Sequence, residues 1–151
     1  MFYFLESLDI KILFWINQSL SNPVFDFIMP ILTNENYWAI PLIWLIVFLV
    51  FFQGKRGRIA IVILIVAVAV TDSVSAFILK PYFERIRPSY DLVEYVNLLV
   101  AKGGKWGMPS NHAANIFALA VVLSCFYDKM KVPLFSLAVV IAFSRVYVGV
   151  H

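Results

Sequence analysis

Long runs of apolar residues dominate the chain and predict membrane-spanning helices. A spanning helix needs about 20 mostly apolar residues, because lipid offers backbone N–H and C=O groups no partners except each other. Within these runs, charge is carried only by Asp72 and by Arg145, which follows the polar Ser144 near the end of the last run. We predict four spans, at about 37–53, 59–79, 112–127 and 132–150.

The first 35 residues follow a different pattern. Apolar residues recur there at three- and four-residue steps, which gives a helix one apolar stripe. The members of the stripe are Leu5, Leu8, Ile12, Trp15, Ile16 and Leu20. Polar residues such as Asn17, Asn22 and Asp26 would be costly inside hydrocarbon. We therefore predict an amphipathic helical segment at the membrane interface over 1–35, with a poor first span as the alternative.

The composition supports a membrane protein. Of the 151 residues, 62% are hydrophobic and only 14% charged, whereas a soluble domain is closer to half apolar and a quarter charged. The net charge of +3 is too dilute to indicate an acidic partner, and no nucleic-acid partner is expected. We interpret residues 1–151 as one all-α domain, an integral membrane helical bundle. Its oligomeric state is left open.

Basic residues indicate the orientation of the bundle. The connections QGKRGR, at 53–58, and YDKMKV, at 127–132, carry Lys and Arg and should face the cytoplasm. Counting spans then places the segment 80–111 on the outer side. The segment 80–111 is also basic, which runs against the usual excess of Lys and Arg on the cytoplasmic side. Membrane orientation therefore does not explain its positive charge.

Three clusters of polar residues lie where predicted helices meet the outer water layer. If the helices form a bundle, the three helix ends can converge on one pocket. The clusters are Lys80 with Arg87 and Pro88, then Pro109, Ser110, Asn111 and His112, and finally Ser144, Arg145 and His151.

Most of these residues suit the binding of a phosphate group. Lys80, Arg87 and Arg145 supply three positive charges, and the two guanidinium groups match phosphate oxygens geometrically. Ser110 adds a hydroxyl group, and the backbone around Asn111 opens a helix whose free N–H groups favour an anion.

His112 and His151, the chain's two histidines, supply the reactive groups. A neutral imidazole can attack phosphorus, and a protonated one can donate a proton to the leaving oxygen. Each residue alone has an ordinary explanation, such as a helix cap or an interfacial cation. Their occurrence together, at one side of the membrane, favours phosphoryl transfer through a phosphohistidine.

The three clusters closely resemble the signature of the type-2 phosphatidic acid phosphatase family, the lipid phosphate phosphatases. That signature reads K-x6-RP, PSGH and SR-x5-H, and it falls here on Lys80–Pro88, Pro109–His112 and Ser144–His151. The resemblance implies that His151 is the nucleophile and that His112 is first the acid and then the base. It implies that Lys80, Arg87, Ser110, Asn111 and Arg145 bind the phosphate, with no metal and no cofactor.

Two departures from the family pattern stand out. Asn111 replaces the usual Gly of the second motif, which puts the backbone approach to the phosphate in doubt. The resemblance also implies an Asp four residues after the nucleophile, followed by a further span. Because His151 is the last residue given, we expect the natural sequence to continue beyond it.

These features predict a multi-pass phosphatase of the bacterial inner membrane, with its site facing the periplasm or exterior. The candidate substrates are phosphatidylglycerol phosphate, phosphatidate, lipid A 1-phosphate and undecaprenyl diphosphate. A phosphotransferase with a sugar or lipid acceptor and a non-catalytic lipid-phosphate binding protein are the alternatives. For Asp72, inside a span, we expect a structural role, through a hydrogen bond to a neighbouring helix or a pair with a pocket cation.

Overall fold

A computed structural model of the chain describes the backbone of residues 2–150 and the side chains of residues 7–150. The elements are helical, which confirms the all-α class. In chain order the helices are α1 Phe2–Phe14, α2 Pro23–Thr33, α3 Glu35–Phe52, α4 Gly54–Val74, α5 Lys80–Phe83, α6 Pro88–Asp91, α7 Asn111–Phe126 and α8 Lys131–Tyr147. The π-helical turn Trp15–Ser19 extends α1, and the π-helical turn Ser75–Leu79 joins α4 to α5.

Within the described residues, three helical segments are long and apolar enough to cross a membrane. They are Glu35–Phe52, the continuous stretch Gly54–Phe83, and Asp128–Tyr147. In the first of them only 6% of the apolar window is buried within the protein, so nearly all of its side chains are available to lipid. The remaining predicted span, 112–127, corresponds to α7, an apolar helix of 16 residues.

The apolar helices α3, α4, α7 and α8 pack against one another in that order. Small residues allow the close approach of the two central helices, since Ala60 in α4 and Ala120 in α7 are both fully buried. Around them lies an apolar core built from Leu49, Ala60, Ile61, Leu64, Leu119, Val122 and Leu123.

The connection between α3 and α4 is much tighter than the sequence suggested. The predicted loop 53–58 reduces to Gln53, because α4 already begins at Gly54, whose φ of +59° suits glycine. The basic residues of this connection therefore lie in the first turns of α4. The guanidinium of Arg56 lies 5.2 Å from the centre of the Tyr127 ring, which brings both basic connections to the same end of the bundle.

The N-terminal segment is helical, as predicted, but part of it packs inside the fold and does not form a separate surface layer. Met29 in α2 belongs to a second apolar core with Tyr147, Val148 and Val150. The polar residues that seemed costly in hydrocarbon have protein partners, since the Tyr147 hydroxyl donates to Asp26 at 2.6 Å. Leu8, Ile12 and Trp15 of the predicted stripe are exposed, whereas Leu5 lies outside the described side chains.

Asn17 is the main polar junction of this second core. It is 1% exposed, its side-chain amide donates to the carbonyl oxygens of Asn97 and Tyr147, and its oxygen accepts from the Asn97 N–H. Through these bonds, of 2.7 to 2.9 Å, one side chain joins the N-terminal segment, the segment 92–110 and the end of α8.

Replacing Asn17 with Ala should lower the free energy of unfolding by about 2–3 kcal/mol, because three buried backbone groups lose their partners. Denaturant titration of the purified protein in detergent measures the change. Asn36→Ala, at an exposed position of α3, is the matched control and should have little effect. Equal losses in the two variants would contradict the role of Asn17.

Candidate functional site

The described residues of the three motifs lie at the end of the bundle opposite the basic connections. Lys80 begins α5, Arg87 immediately precedes α6, and Ser110 caps the first turn of α7. Arg145 lies near the end of α8. His151, the predicted nucleophile, lies outside the described residues.

Burial and hydrogen bonds fix the position of the long Arg87 side chain. It is 7% exposed, and its Nε donates to the carbonyl oxygen of Trp106 at 3.0 Å. Its backbone N–H donates to the carbonyl of Lys105, beside an antiparallel bridge between Ile86 and Trp106. Burial lowers the pKa of the Arg87 guanidinium from its usual value. Gly103 lies against the end of this side chain, where a Cβ would overlap Nη1.

Arg145 reaches the site from the other side of the bundle. It is 8% exposed, and its Nη1 donates to the hydroxyl of Thr33 at 2.9 Å. Its buried Nε has no hydrogen-bond partner within the described part of the chain. A buried guanidinium with a free donor is well suited to an anionic ligand.

The cations of the three motifs are close enough to influence one another. The charge of Arg87 acts on Lys80, on His112 and on Arg145. The residues influenced in this way come from the first, second and third motifs. Like charges gathered in this way repel, so the site favours a ligand with negative charge.

The start of α7 combines a capping residue with a polar link to α4. The Ser110 hydroxyl accepts weakly from the Ala113 N–H, at 3.5 Å, which leaves the first N–H groups of the helix available. The Asn111 side chain contacts α4, where its Nδ2 donates to Asp72 at 2.6 Å. Asn115 donates to the same carboxylate oxygen at 3.3 Å.

This geometry bears on two predictions. Asp72 has the expected structural role, since it forms a hydrogen bond to the neighbouring helix. The prediction for Asn111 is that its backbone binds phosphate, and its side chain is hydrogen-bonded to Asp72 instead.

Two residues of the site were not predicted from the sequence. Glu35 Oε1 lies 2.8 Å from Nε2 of His112, and Thr33 is the partner of Arg145. Both come from the junction of α2 and α3, far from the three motifs in the chain. The available signal was a carboxylate in the first turn of an apolar helix, at the end of the bundle opposite the basic connections.

The chain approaches His151 through a fixed turn. Val150 is 1% exposed, and its N–H donates to the carbonyl of Arg145 at 3.3 Å. Gly149 makes the turn with a φ of +79°, and a Cβ there would overlap Val96. Only glycine fits both requirements, which explains its place within the third motif.

The types of side chain at the site indicate which kind of ligand it can bind. Among the described residues, no group of three or more His, Cys, Asp or Glu side chains could hold a metal ion. The donors present are cations and helix N–H groups, which suit the oxygens of a phosphate.

Comparison with known proteins gives consistent matches. Residues 57–151 match the PAP2 superfamily. The chain is 30% identical, over 161 aligned positions, to the lipid A 4'-phosphatase of Bacteroides thetaiotaomicron, which covers 100% of this chain and 70% of the relative. It is also 30% identical to the lipid A 4'-phosphatase of Porphyromonas gingivalis, with coverage of 92% and 61%. The crystal structure of Aquifex aeolicus LpxE superposes with a TM-score of 0.70 at 28% identity, over 94% of this chain and 81% of that structure.

Gly103→Ala should weaken phosphate binding about tenfold, because the added methyl group displaces the guanidinium of Arg87. Inhibition of the full-length protein by inorganic phosphate measures the effect. Gly104→Ala is the matched control, since nothing lies within 4 Å of a Cβ at that position. Equal phosphate affinity in the two variants would show that Gly103 does not position Arg87 for binding.

Proposed function

We propose that this chain, which belongs to the PAP2 superfamily and is a metal-independent lipid phosphatase of that family, acts through a phosphohistidine on His151. The observation that carries the proposal is the meeting of Arg87, Arg145 and His112 at one end of the bundle. These groups come from all three motifs, and together they supply an anion site beside a group that can transfer a proton.

Phosphate binding is the first part of the proposed mechanism. Lys80, Arg87 and Arg145 neutralise the phosphate oxygens, and the backbone N–H groups at the start of α7 add to them. The free Nε of Arg145 gives the anion a donor that no described residue uses. As charge builds on the oxygens in the transition state, these fixed donors stabilise it without rearrangement.

The transfer itself has two steps. In the first, a nitrogen of His151 attacks phosphorus, the bond to the lipid oxygen breaks, and His112 gives that oxygen a proton. In the second, His112 takes a proton from water as its oxygen attacks phosphorus, and the bond to His151 breaks. Inorganic phosphate leaves, and both histidines return to their starting forms.

For the substrate we propose a phosphate monoester of a lipid A-type glycolipid. Two relatives at 30% identity are named as lipid A 4'-phosphatases, and the LpxE structure covers nearly the whole chain. The site lies at one end of apolar helices, where a phosphate on a lipid head group would be placed when its acyl chains lie in the membrane. The opposite end carries the basic connections, so we propose that the site faces the periplasm of the inner membrane.

The test is phosphate release by purified full-length protein in detergent, with EDTA present. Lipid A with phosphate at the 1 or the 4' position, phosphatidylglycerol phosphate, phosphatidate and undecaprenyl diphosphate should be compared. We expect lipid A phosphate to be the best substrate, and expect His112→Ala and His151→Ala each to reduce turnover at least a hundredfold, about the contribution of such groups to catalysis.

The controls separate hydrolysis from its alternatives. Product analysis with added sugar or lipid acceptors would reveal a phosphotransferase. Protection of the site by phosphate without any turnover would indicate a binding protein. Undiminished turnover in either histidine variant would contradict the phosphohistidine mechanism, and preference for another lipid would contradict only the substrate.

A further inference from the structure

Glu35 places a carboxylate beside the phosphate site. It is the first residue of α3, and the preceding Asn34 caps that helix by accepting from the Asn36 N–H. Its Oε1 lies 2.8 Å from Nε2 of His112. A carboxylate opposes the binding of a phosphate by charge, so its position here calls for another role.

The surroundings of His112 explain what the carboxylate contributes. Burial of the ring disfavours its protonated form most, and the nearby charges of Arg145 from α8 and Arg87 from the segment 80–111 disfavour that form further. Glu35 from α3 is the group that favours that form, by its charge and by its hydrogen bond. A ring that must give a proton to the lipid oxygen has to hold one before the reaction begins.

The contact also fixes the orientation of the ring. An imidazole has two nitrogens, and Glu35 occupies Nε2. Because Glu35 takes Nε2, Nδ1 is the nitrogen left to face the reacting atoms. The carboxylate keeps a proton on Nε2, so Nδ1 is the atom that binds and releases the second proton of the ring.

We propose that Glu35 is a positioning residue, whose carboxylate orients His112 and favours its protonated form for the first step of the reaction. This proposal rests on the proposed function. When the bond from His151 to phosphorus forms and the lipid–oxygen bond breaks, the proton on Nδ1 moves to the lipid oxygen, while the proton on Nε2 stays on that nitrogen, hydrogen-bonded to Glu35. In the second step Nδ1 takes a proton from water.

A purely structural role does not account for this pair. The Glu35 side chain is 77% exposed, and exposed ion pairs contribute little to stability. A role in substrate binding would appear in KM, whereas a role in proton transfer appears in kcat and in its pH dependence.

The experiment compares Glu35→Gln, Glu35→Asp and the control Glu94→Gln, an exposed carboxylate of the outer segment. In full-length protein, Glu35→Gln should lower kcat about ten- to a hundredfold, as loss of an orienting partner does elsewhere. KM and the melting temperature should be unchanged, and the fall of kcat with rising pH should begin at lower pH. Glu35→Asp should restore part of kcat, and Glu94→Gln should resemble the wild type.

Two results would overturn the proposal. Unchanged kcat in Glu35→Gln would show that the carboxylate does not assist His112. A lower KM with unchanged kcat would show that it merely competes with the phosphate.

A second measurement separates this proposal from the proposed function. The ¹⁵N chemical shifts of the His112 ring, identified with His112→Ala, report its protonated fraction without any substrate. That fraction should be smaller in Glu35→Gln at the same pH, and equal fractions would overturn the proposal even if the wild type hydrolyses lipid phosphates. Absence of turnover in the wild type would instead contradict the proposed function.

Discussion

Repulsion among buried cations is the constraint on which the motif-bearing end of the bundle depends. Arg87 and Arg145 are less than a tenth exposed, and the charge of Arg87 acts on Arg145. Burying like charges costs free energy unless hydrogen bonds and an anion compensate. The fold supplies one acceptor to each, the carbonyl of Trp106 and the hydroxyl of Thr33. These acceptors fix the guanidinium groups but leave their charge to be neutralised by a ligand.

The acceptor for Arg145 shows that the N-terminal segment contributes residues to the candidate site. The family match covers residues 57–151, yet Thr33 and Glu35 reach the site from before it. Asn17 ties the same segment to the end of α8, next to the turn that leads towards His151. The first helices therefore support the third motif from outside the matched region.

The helical bundle could be predicted because apolar runs are a local property, and the convergence of the motifs because all three lie at predicted helix ends on one side of the bundle. The sequence could not predict which individual side chains far apart in the chain touch. Glu35 and His112 are separated by more than 70 positions, and only the packing of α3, α4 and α7 brings them together. The tight turn at Gly54 was missed for a related reason, since a polar, basic segment reads as a loop when its burial is unknown.

Asn111 illustrates how a departure from the family pattern is accommodated. A side chain at this position was expected to hinder the approach of a phosphate to the backbone N–H groups. The contact with Asp72 draws that side chain towards α4, so the helix N–H groups stay open. The same contact leaves one oxygen of Asp72 hydrogen-bonded to two amides, Asn111 and Asn115, which ties the start of α7 to the helix that leads to Lys80. The substituted residue therefore joins the first two motifs, a link that glycine at this position could not make.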